Sequence, residues 1–567
     1  MKSASSFFSV LISIGCVVWA AHPISEGLMV ELGLSKSVLV NMSFILFMDS
    51  YGVLFIWVVS MISLCVMSFS LFYLNDSYDY GRYCFLVKVF IAFMFLLVLV
   101  PTLLGVMLGW DGLGLVSFLL VTFYQDKKSL GSGLMTFFSN RVGDALILIS
   151  LFLLSNQMGF SLKELAGTTV AGLSSFLLVL GCMTKSAQFP FSAWLPMAMA
   201  APTPVSALVH SSTLVTAGCF LLFRFNNVLD CSDYMFLSFV SSLTALYAAI
   251  YGVFEWDLKK LVALSTMGQM GVVMLGISVG ASASSFFHLV SHAMYKSLLF
   301  LCVGVIISTG GGVQDMRHIG NLQDKSPALM SLLLISLLSF LGFPFLSAFY
   351  SKDLILELFL MSSFGSVVIV MTVLSLILNV FCSGRLLFCF YNSGEVGALM
   401  VDGSMVESVL WPCSALALGS LFGGVVIQSL ICDLGVGVWM PSSFRVLFSL
   451  GLIVGVPLLL GIYSVTGSFD VVHKSEGWIY PFLESGWFLG ALSGSFIGTF
   501  TLLLADRVEA DLEEGWIEWG VGPIGFWDKF SKGAKAVLQA QADSMGVLML
   551  KSSLLVASWF YFLKYLS

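Results

Sequence analysis

Residues 172–196 read GLSSFLLVLGCMTKSAQFPFSAWLP. The apolar run 172–184 closes on Lys185, and Pro190 follows five residues later. A proline removes one helical hydrogen bond and frees a carbonyl. Lipid cannot satisfy that carbonyl, so a broken turn at membrane depth is tolerated where it faces protein or a water-filled cavity. The stretch therefore predicts an interrupted membrane helix, with Lys185 beside a place that water reaches.

The whole chain supports a membrane setting. Apolar residues make up 58% of it, mean hydropathy is +1.00, and charged residues are 10%, against roughly 25% in a soluble domain. Spans of about 20 apolar residues are expected at 5–22, 44–75, 84–108, 109–124, 134–157, 169–188, 204–224, 234–254, 258–279, 285–308, 328–349, 354–382, 408–431, 444–464, 481–504 and 551–566. The fold class is all-α, a polytopic transmembrane helix bundle of about 16 helices. Continuous apolar runs exclude a β-barrel, whose strands alternate over about ten residues. The first span, in MKSASSFFSVLISIGCVVWAAH, has signal-peptide features but is expected to be a retained helix ahead of so many others.

Eleven cysteines stand singly, with no Cys-x-x-Cys and no iron–sulfur, zinc or haem spacing, so they read as small packing residues. No Walker loop or Gly-x-Gly-x-x-Gly is present; GWDGLGL at 109–115 lies among apolar runs. Neither nucleotide nor nucleic acid is an expected ligand. The net charge of −7 owes much to DRVEADLEE at 506–514, and basic pairs such as Lys127 and Lys128 leave orientation open. The 53 Gly, 13 Pro and 50 Phe point to a coding strand rich in T and G, since glycine and proline codons are complementary. Such strand bias is common in small organellar genomes, and with no Arg-rich, Ser-rich transit peptide at the start, a mitochondrial protein of this sequence is expected to be made inside the organelle.

Ionisable groups inside the spans carry the functional information, since each costs about 2.5–3.5 kcal/mol near the bilayer centre on insertion scales. They are Asp111, Arg141, Asp144, Lys185, His210, Arg224, His288, His292, Lys296, Lys352, Asp353 and Arg385. Arg141 and Asp144, three apart in NRVGD, either neutralise each other or serve the site. Arg224 and Arg385 lie near span ends and are expected to snorkel to the interface.

FHLVSHAMYKSLLF at 287–300 sets His288, His292 and Lys296 at i, i+4 and i+8, one polar stripe on an apolar helix. At 1.5 Å per residue the stripe covers about 12 Å of a core about 30 Å thick. No Glu follows the first histidine, and Lys296 would repel a divalent cation, so no metal is expected. Proton hopping through trapped water suits the stripe better. A second interruption is predicted in GFPFLSAFYSKD, 342–353, where FPFLSAF echoes FPFSAW and Lys352 lies close by.

GWDGLGLVSFLL (109–120), NRVGD (140–144), the segment 185–218, DLKKLVALSTMGQMG (257–271), HAMYK (292–296) and GFPFLSAFYSKD (342–353) resemble the antiporter-like family of proton-translocating membrane subunits, in particular the members that belong to complex I, the respiratory NADH:ubiquinone oxidoreductase. The resemblance implies inverted repeats, with Asp111 as the acid that pairs with Lys185, and His288, His292 and Lys296 as the central relay. Lys352 beside Asp353 would be the exit, His210 an axis residue, and Lys259 a group near a channel mouth. Arg141 and Asp144 would support the pair. The family usually has Glu where Asp111 stands, so either the helices approach more closely here or water bridges the pair. It also implies that FMN, iron–sulfur clusters and ubiquinone sit in other subunits, with none in this chain, and that the partners are other antiporter-like membrane-arm subunits and lipids of the mitochondrial inner membrane.

The chemistry has its own logic. Desolvation favours a neutral lysine, and a nearby carboxylate favours the cation, so moving the acid loads or unloads a proton. Two other readings are a cation/proton antiporter subunit without redox coupling and a structural subunit that lost pumping; retention of the lysines speaks against the latter. Beyond the core, 523–550 spaces Trp527, Phe530, Ala534, Val537, Leu538, Met545 and Leu548 as an amphipathic helix of up to about 42 Å, with Lys529, Lys532 and Lys535 at its start. The expected organisation is N-terminal transmembrane helices 1–108, a proton-translocating core 109–385, additional helices 386–504, a lateral helix region 505–550 and a terminal anchor 551–567.

Overall fold

In lipid a backbone can bond only to itself, so each long apolar run closes as a helix. The computed structural model describes residues 28–36, 41–74, 79–158, 172–320, 322–362, 365–391, 406–431, 479–510, 526–542 and 545–566. Among them, 11 helices are long and apolar enough to cross a membrane. Among the described residues, the first twelve helices of more than ten residues are α1 (Ser50–Tyr73), α2 (Tyr80–Leu99), α3 (Leu103–Val121), α4 (Lys127–Met158), α5 (Gly172–Lys185), α6 (Thr203–Arg224), α7 (Cys231–Phe254), α8 (Leu258–Ser278), α9 (Ser282–Thr309), α10 (Pro327–Leu341), α11 (Ser347–Met361) and α12 (Ser366–Tyr391). α13 (Val406–Leu430) follows.

α6 and α9 are buried all round and α8 almost so. The outer helices α2, α4, α12 and α13 turn Phe85, Phe138, Val370 and Phe422 outward, as lipid-facing surfaces must. The polar stripe on α9 is therefore enclosed by protein on every side.

Several boundaries differ from the sequence reading. An antiparallel hairpin, β1 (Leu28–Lys36) and β2 (Asn41–Met48), pairs Leu28 with Met48 and Lys36 with Asn41. The helix expected from residue 44 starts at Ser50 instead, because the Asp49 carboxylate accepts the Gly52 N–H at 3.2 Å and caps it. The break expected at 108/109 lies at 100–102. Val100 is extended before Pro101, and Thr102 caps α3 through the Gly105 N–H at 3.3 Å. Asp111 consequently sits inside a helix and not at its start. The expected pair 328–349 and 354–382 is three helices, α10 to α12. The expected spans 5–22 and 444–464 lie outside the described residues.

Residues 490–567 form a second compact unit, with helices α14 (Ile497–Val508), α15 (Asp528–Ala542) and α16 (Met545–Leu566). α15 is the expected amphipathic helix, with Phe530, Val537 and Leu538 exposed and Lys532 paired to Asp528 at 2.6 Å. Its 15 residues span about 22 Å, shorter than expected because Met545 and the residues after it belong to α16.

Candidate functional site

Both interrupted helices stop in the same way. At the end of α5, Ala187 takes φ 52°, its N–H reaches the Thr184 carbonyl at 3.4 Å, and the Gln188 N–H reaches that of Met183 at 3.0 Å. At the end of α10, Gly342 takes φ 86°, its N–H reaches Ser339 at 3.1 Å, and the Phe343 N–H reaches Leu338 at 3.0 Å. These are Schellman caps, each followed by a proline, so the echo between the two sequences is a repeated turn. In register, Lys185 occupies the position that Phe340 holds in the second cap.

Lys185 is buried at the last turn of α5. Its ammonium donates to the Trp110 carbonyl and lies 3.9 Å from the Trp110 ring centre. The same indole donates its N–H to Asp144 Oδ1 at 2.7 Å. Arg141 pairs with Asp111 and, at 3.3 Å, with Asp144. The Asp144 side chain is 8% exposed and that of Asp111 44%. Thus Trp110 joins the lysine to Asp144, the buried carboxylate, while Asp111 faces Arg141. A Cβ at Gly143 would strike the Thr184 hydroxyl, so glycine there lets α4 close on α5 beside the site.

The stripe on α9 meets the second break. His288 bridges Ser351 Oγ on α11 (2.9 Å from Nδ1) and Gln269 Oε1 on α8 (3.2 Å from Nε2). His292 lies edge-on to Tyr295 at 5.4 Å, and its ring nitrogens have no protein hydrogen-bond partner. Lys296 donates to Ser265 Oγ at 2.7 Å and lies 3.9 Å from the Phe340 ring centre. Lys352 stands 6.0 Å from that same centre and donates to the Leu341 carbonyl at 3.4 Å. Two lysines thus share one ring, and one of them neutralises the negative end of α10. Asp353 follows Lys352 and is partly buried.

His210 is buried on a π-helical turn, Ser206–Thr213, with its ring 6.0 Å from Trp194 and neither nitrogen bonded to protein. Lys259 donates to the Ala201 carbonyl at 3.2 Å, just before α6. The two arginines expected to snorkel do not. Arg224 pairs with Asp49 at 2.8 Å and bonds the Val98 carbonyl at 3.2 Å. Arg385 is buried against Trp256, 4.3 Å from the ring centre, and donates to the Val253 and Glu255 carbonyls at the end of α7. Each meets partners inside the protein before its side chain can reach the interface.

Sequence reasoning missed Trp110, Gln269, Ser351, Ser265 and Phe340. Gln269 and Ser351 carried a faint signal, as uncharged polar residues on buried stretches that already held a candidate. Trp110 and Phe340 carried none, since an aromatic among apolar residues looks like packing.

An all-α bundle with two matching helix breaks and a buried file of lysines and histidines defines an antiporter-like membrane subunit. Residues 100–381 match the family described as NADH:quinone oxidoreductase/Mrp antiporter, TM, and residues 383–563 match NADH dehydrogenase subunit 5 C-terminus. NADH-ubiquinone oxidoreductase chain 5 of Lumbricus terrestris is 36% identical over 90% of this chain and 90% of its own. That of Mytilus edulis is 35% identical over 90% and 89%. The chain belongs to the NADH-ubiquinone oxidoreductase chain 5 family. In fold it is similar to a chain of the Mrp complex from Dietzia sp., with TM-score 0.72 and 24% identity over 88% of this chain and 57% of that one. It is also similar to a chain of an archaeal membrane-bound sulfane sulfur reductase, with TM-score 0.67 and 18% identity over 76% and 91%.

Proposed function

We propose that protons cross this subunit along the buried file from Lys185 through His288, His292 and Lys296 to Lys352 and Asp353, with ordered water between the fixed groups. The chain is a proton-translocating membrane-arm subunit of an NADH:ubiquinone oxidoreductase. The observation that carries the route is that five of these groups are fully or almost fully buried, on α9 and at the two helix breaks. A proton held there can leave only to another such group or to water.

Asp144, tied to Trp110, and Asp111, tied to Arg141, form the carboxylate side of the switch. When a carboxylate draws near, Lys185 keeps its proton; when it turns to Arg141, the proton is released toward α9. His288 is held between α8 and α11 and serves as the fixed member of the relay. His292 has ring nitrogens that water must satisfy. In this reading His210 is a polar residue of the axis and Lys259 a group near a channel mouth.

The energy comes from electron transfer in other subunits, where FMN, iron–sulfur clusters and ubiquinone reside. The setting is the mitochondrial inner membrane, the gene is organellar, and the neighbours are other antiporter-like subunits. In chain order, further transmembrane stretches 1–108 and 386–504 precede and follow the translocating core 109–385, and the region 505–550 with the anchor 551–567 braces those neighbours. The C-terminal match at 383–563 favours this reading over a cation/proton antiporter without redox coupling.

The test is Lys185→Met and Lys352→Met in the intact complex, reconstituted in vesicles. Methionine keeps an apolar stem and loses only the titratable head. Fewer protons per electron are expected in both variants, at unchanged assembly; an undiminished ratio in both removes these lysines from the path.

A further inference from the structure

The helix Ile479–Glu484 ends in the same cap as the two breaks, with Gly486 at φ 64°, its N–H 3.3 Å from the Leu483 carbonyl and the Trp487 N–H 2.9 Å from that of Phe482. Such a cap needs one left-handed residue. Here Trp487 and Phe488 continue at φ 56° and 53°, a conformation that side-chain-bearing residues keep only where the surroundings over-determine it. The surroundings are the first helix break. The Trp487 ring lies edge-on to Tyr247 at 5.1 Å and to Phe189 at 6.3 Å, and stacks on Phe482 at 6.1 Å. The Tyr247 hydroxyl donates to the Gly486 carbonyl at 3.1 Å, and a Cβ at Gly486 would come within 2.7 Å of that hydroxyl.

Phe189 belongs to the loop whose Ala187 and Gln188 cap α5 behind Lys185. α7 grips the same loop through Thr244, whose hydroxyl lies 2.6 Å from Gln188 Oε1. Tyr247 is thus common to both grips: one turn below Thr244 on α7, it packs on Phe189 at 6.3 Å and holds the strained turn. The loop lies in the part matched as antiporter, 100–381, and Trp487 in the part matched as the subunit 5 C-terminus, 383–563.

We infer that Trp487 is a positioning residue for Lys185: its ring wedges Phe189 against Tyr247 and so fixes the loop that terminates α5 at the lysine. This rests on the reading of Lys185 as a proton-carrying group. Without the ring, the loop and the last turn of α5 gain freedom, and Lys185 loses its register with Trp110. Misplacement by about 1 Å costs up to about 100-fold in a transfer step.

The experiment uses the intact complex in vesicles and reads protons moved per electron, normalised to assembled complex, for Trp487→Ala, Trp487→Phe and a Lys185→Met control. A purely structural role would change the amount assembled and leave the ratio alone. The inference expects a lowered ratio for Trp487→Ala, recovery in Trp487→Phe and a lowered ratio in the control. Should Trp487→Ala assemble too poorly to measure, Trp487→Leu, apolar but ringless, decides in its place. A lowered control with a wild-type ratio in the ringless variant overturns the inference while leaving the Lys185 reading intact. A wild-type ratio in the control overturns the Lys185 reading, and the inference falls with it.

Discussion

Lys185 was legible as a buried cation beside a proline, but the side chains that hold it were not. Its partners come from α3 and α4, 41 to 75 residues earlier in the chain, and no local spacing reports them. The acid expected to pair with it, Asp111, is turned to Arg141. The carboxylate that Trp110 links to Lys185 is Asp144, which the sequence offered as a supporting residue of NRVGD. Trp110→Phe keeps a ring under the ammonium but removes the N–H that reaches Asp144 at 2.7 Å, together with part of a fully buried indole. Leaving that buried oxygen short of a donor costs about 1–3 kcal/mol. The assembled complex should melt earlier and translocate more slowly; an unchanged midpoint with unchanged translocation would show that the indole N–H holds nothing.

Among the elements, the interrupted helices were the most legible, because proline announces them. Their ends were less so: Ala187 at φ 52° is not the residue that a left-handed cap calls for, and nothing in KSAQFP marks it. Alanine pays about 1–2 kcal/mol in that conformation, so Ala187→Gly should stabilise the complex by about 1 kcal/mol, seen as a raised thermal midpoint. A lowered midpoint would mean that the methyl packs more favourably than the backbone strains. Helix α15 was foreseen from its periodicity and overextended at its C-terminal side, since the apolar spacing runs on into α16. Gly-Pro pairs within 534–541 should break α15, at about 3 kcal/mol for the proline and about 1 for the glycine. If the helix braces other subunits, the complex becomes fragile in detergent while intact particles still pump. Normal assembly with pumping abolished would instead make it part of the mechanism.

At the scale of the molecule, hydropathy alone sufficed for an all-α membrane bundle, since lipid leaves a polytopic chain of long apolar runs few other folds. It could not say which helices lie inside, because α6, α8 and α9 are as apolar as α4 and α13, which face lipid, and only three-dimensional packing separates them. That enclosed position turns the stripe on α9 from a pattern into a path, joined to the second break by His288 through Ser351 and by Lys296 and Lys352 around Phe340. The most direct test of the path is the number of protons moved per electron by vesicle-reconstituted complex carrying Lys296→Met, measured beside His292→Ala. Water and His288 can stand in for His292, whereas a missing cation interrupts the file and changes the field at Lys352. The account predicts a clearly lowered ratio for Lys296→Met and a smaller loss for His292→Ala; a wild-type ratio for Lys296→Met would contradict it.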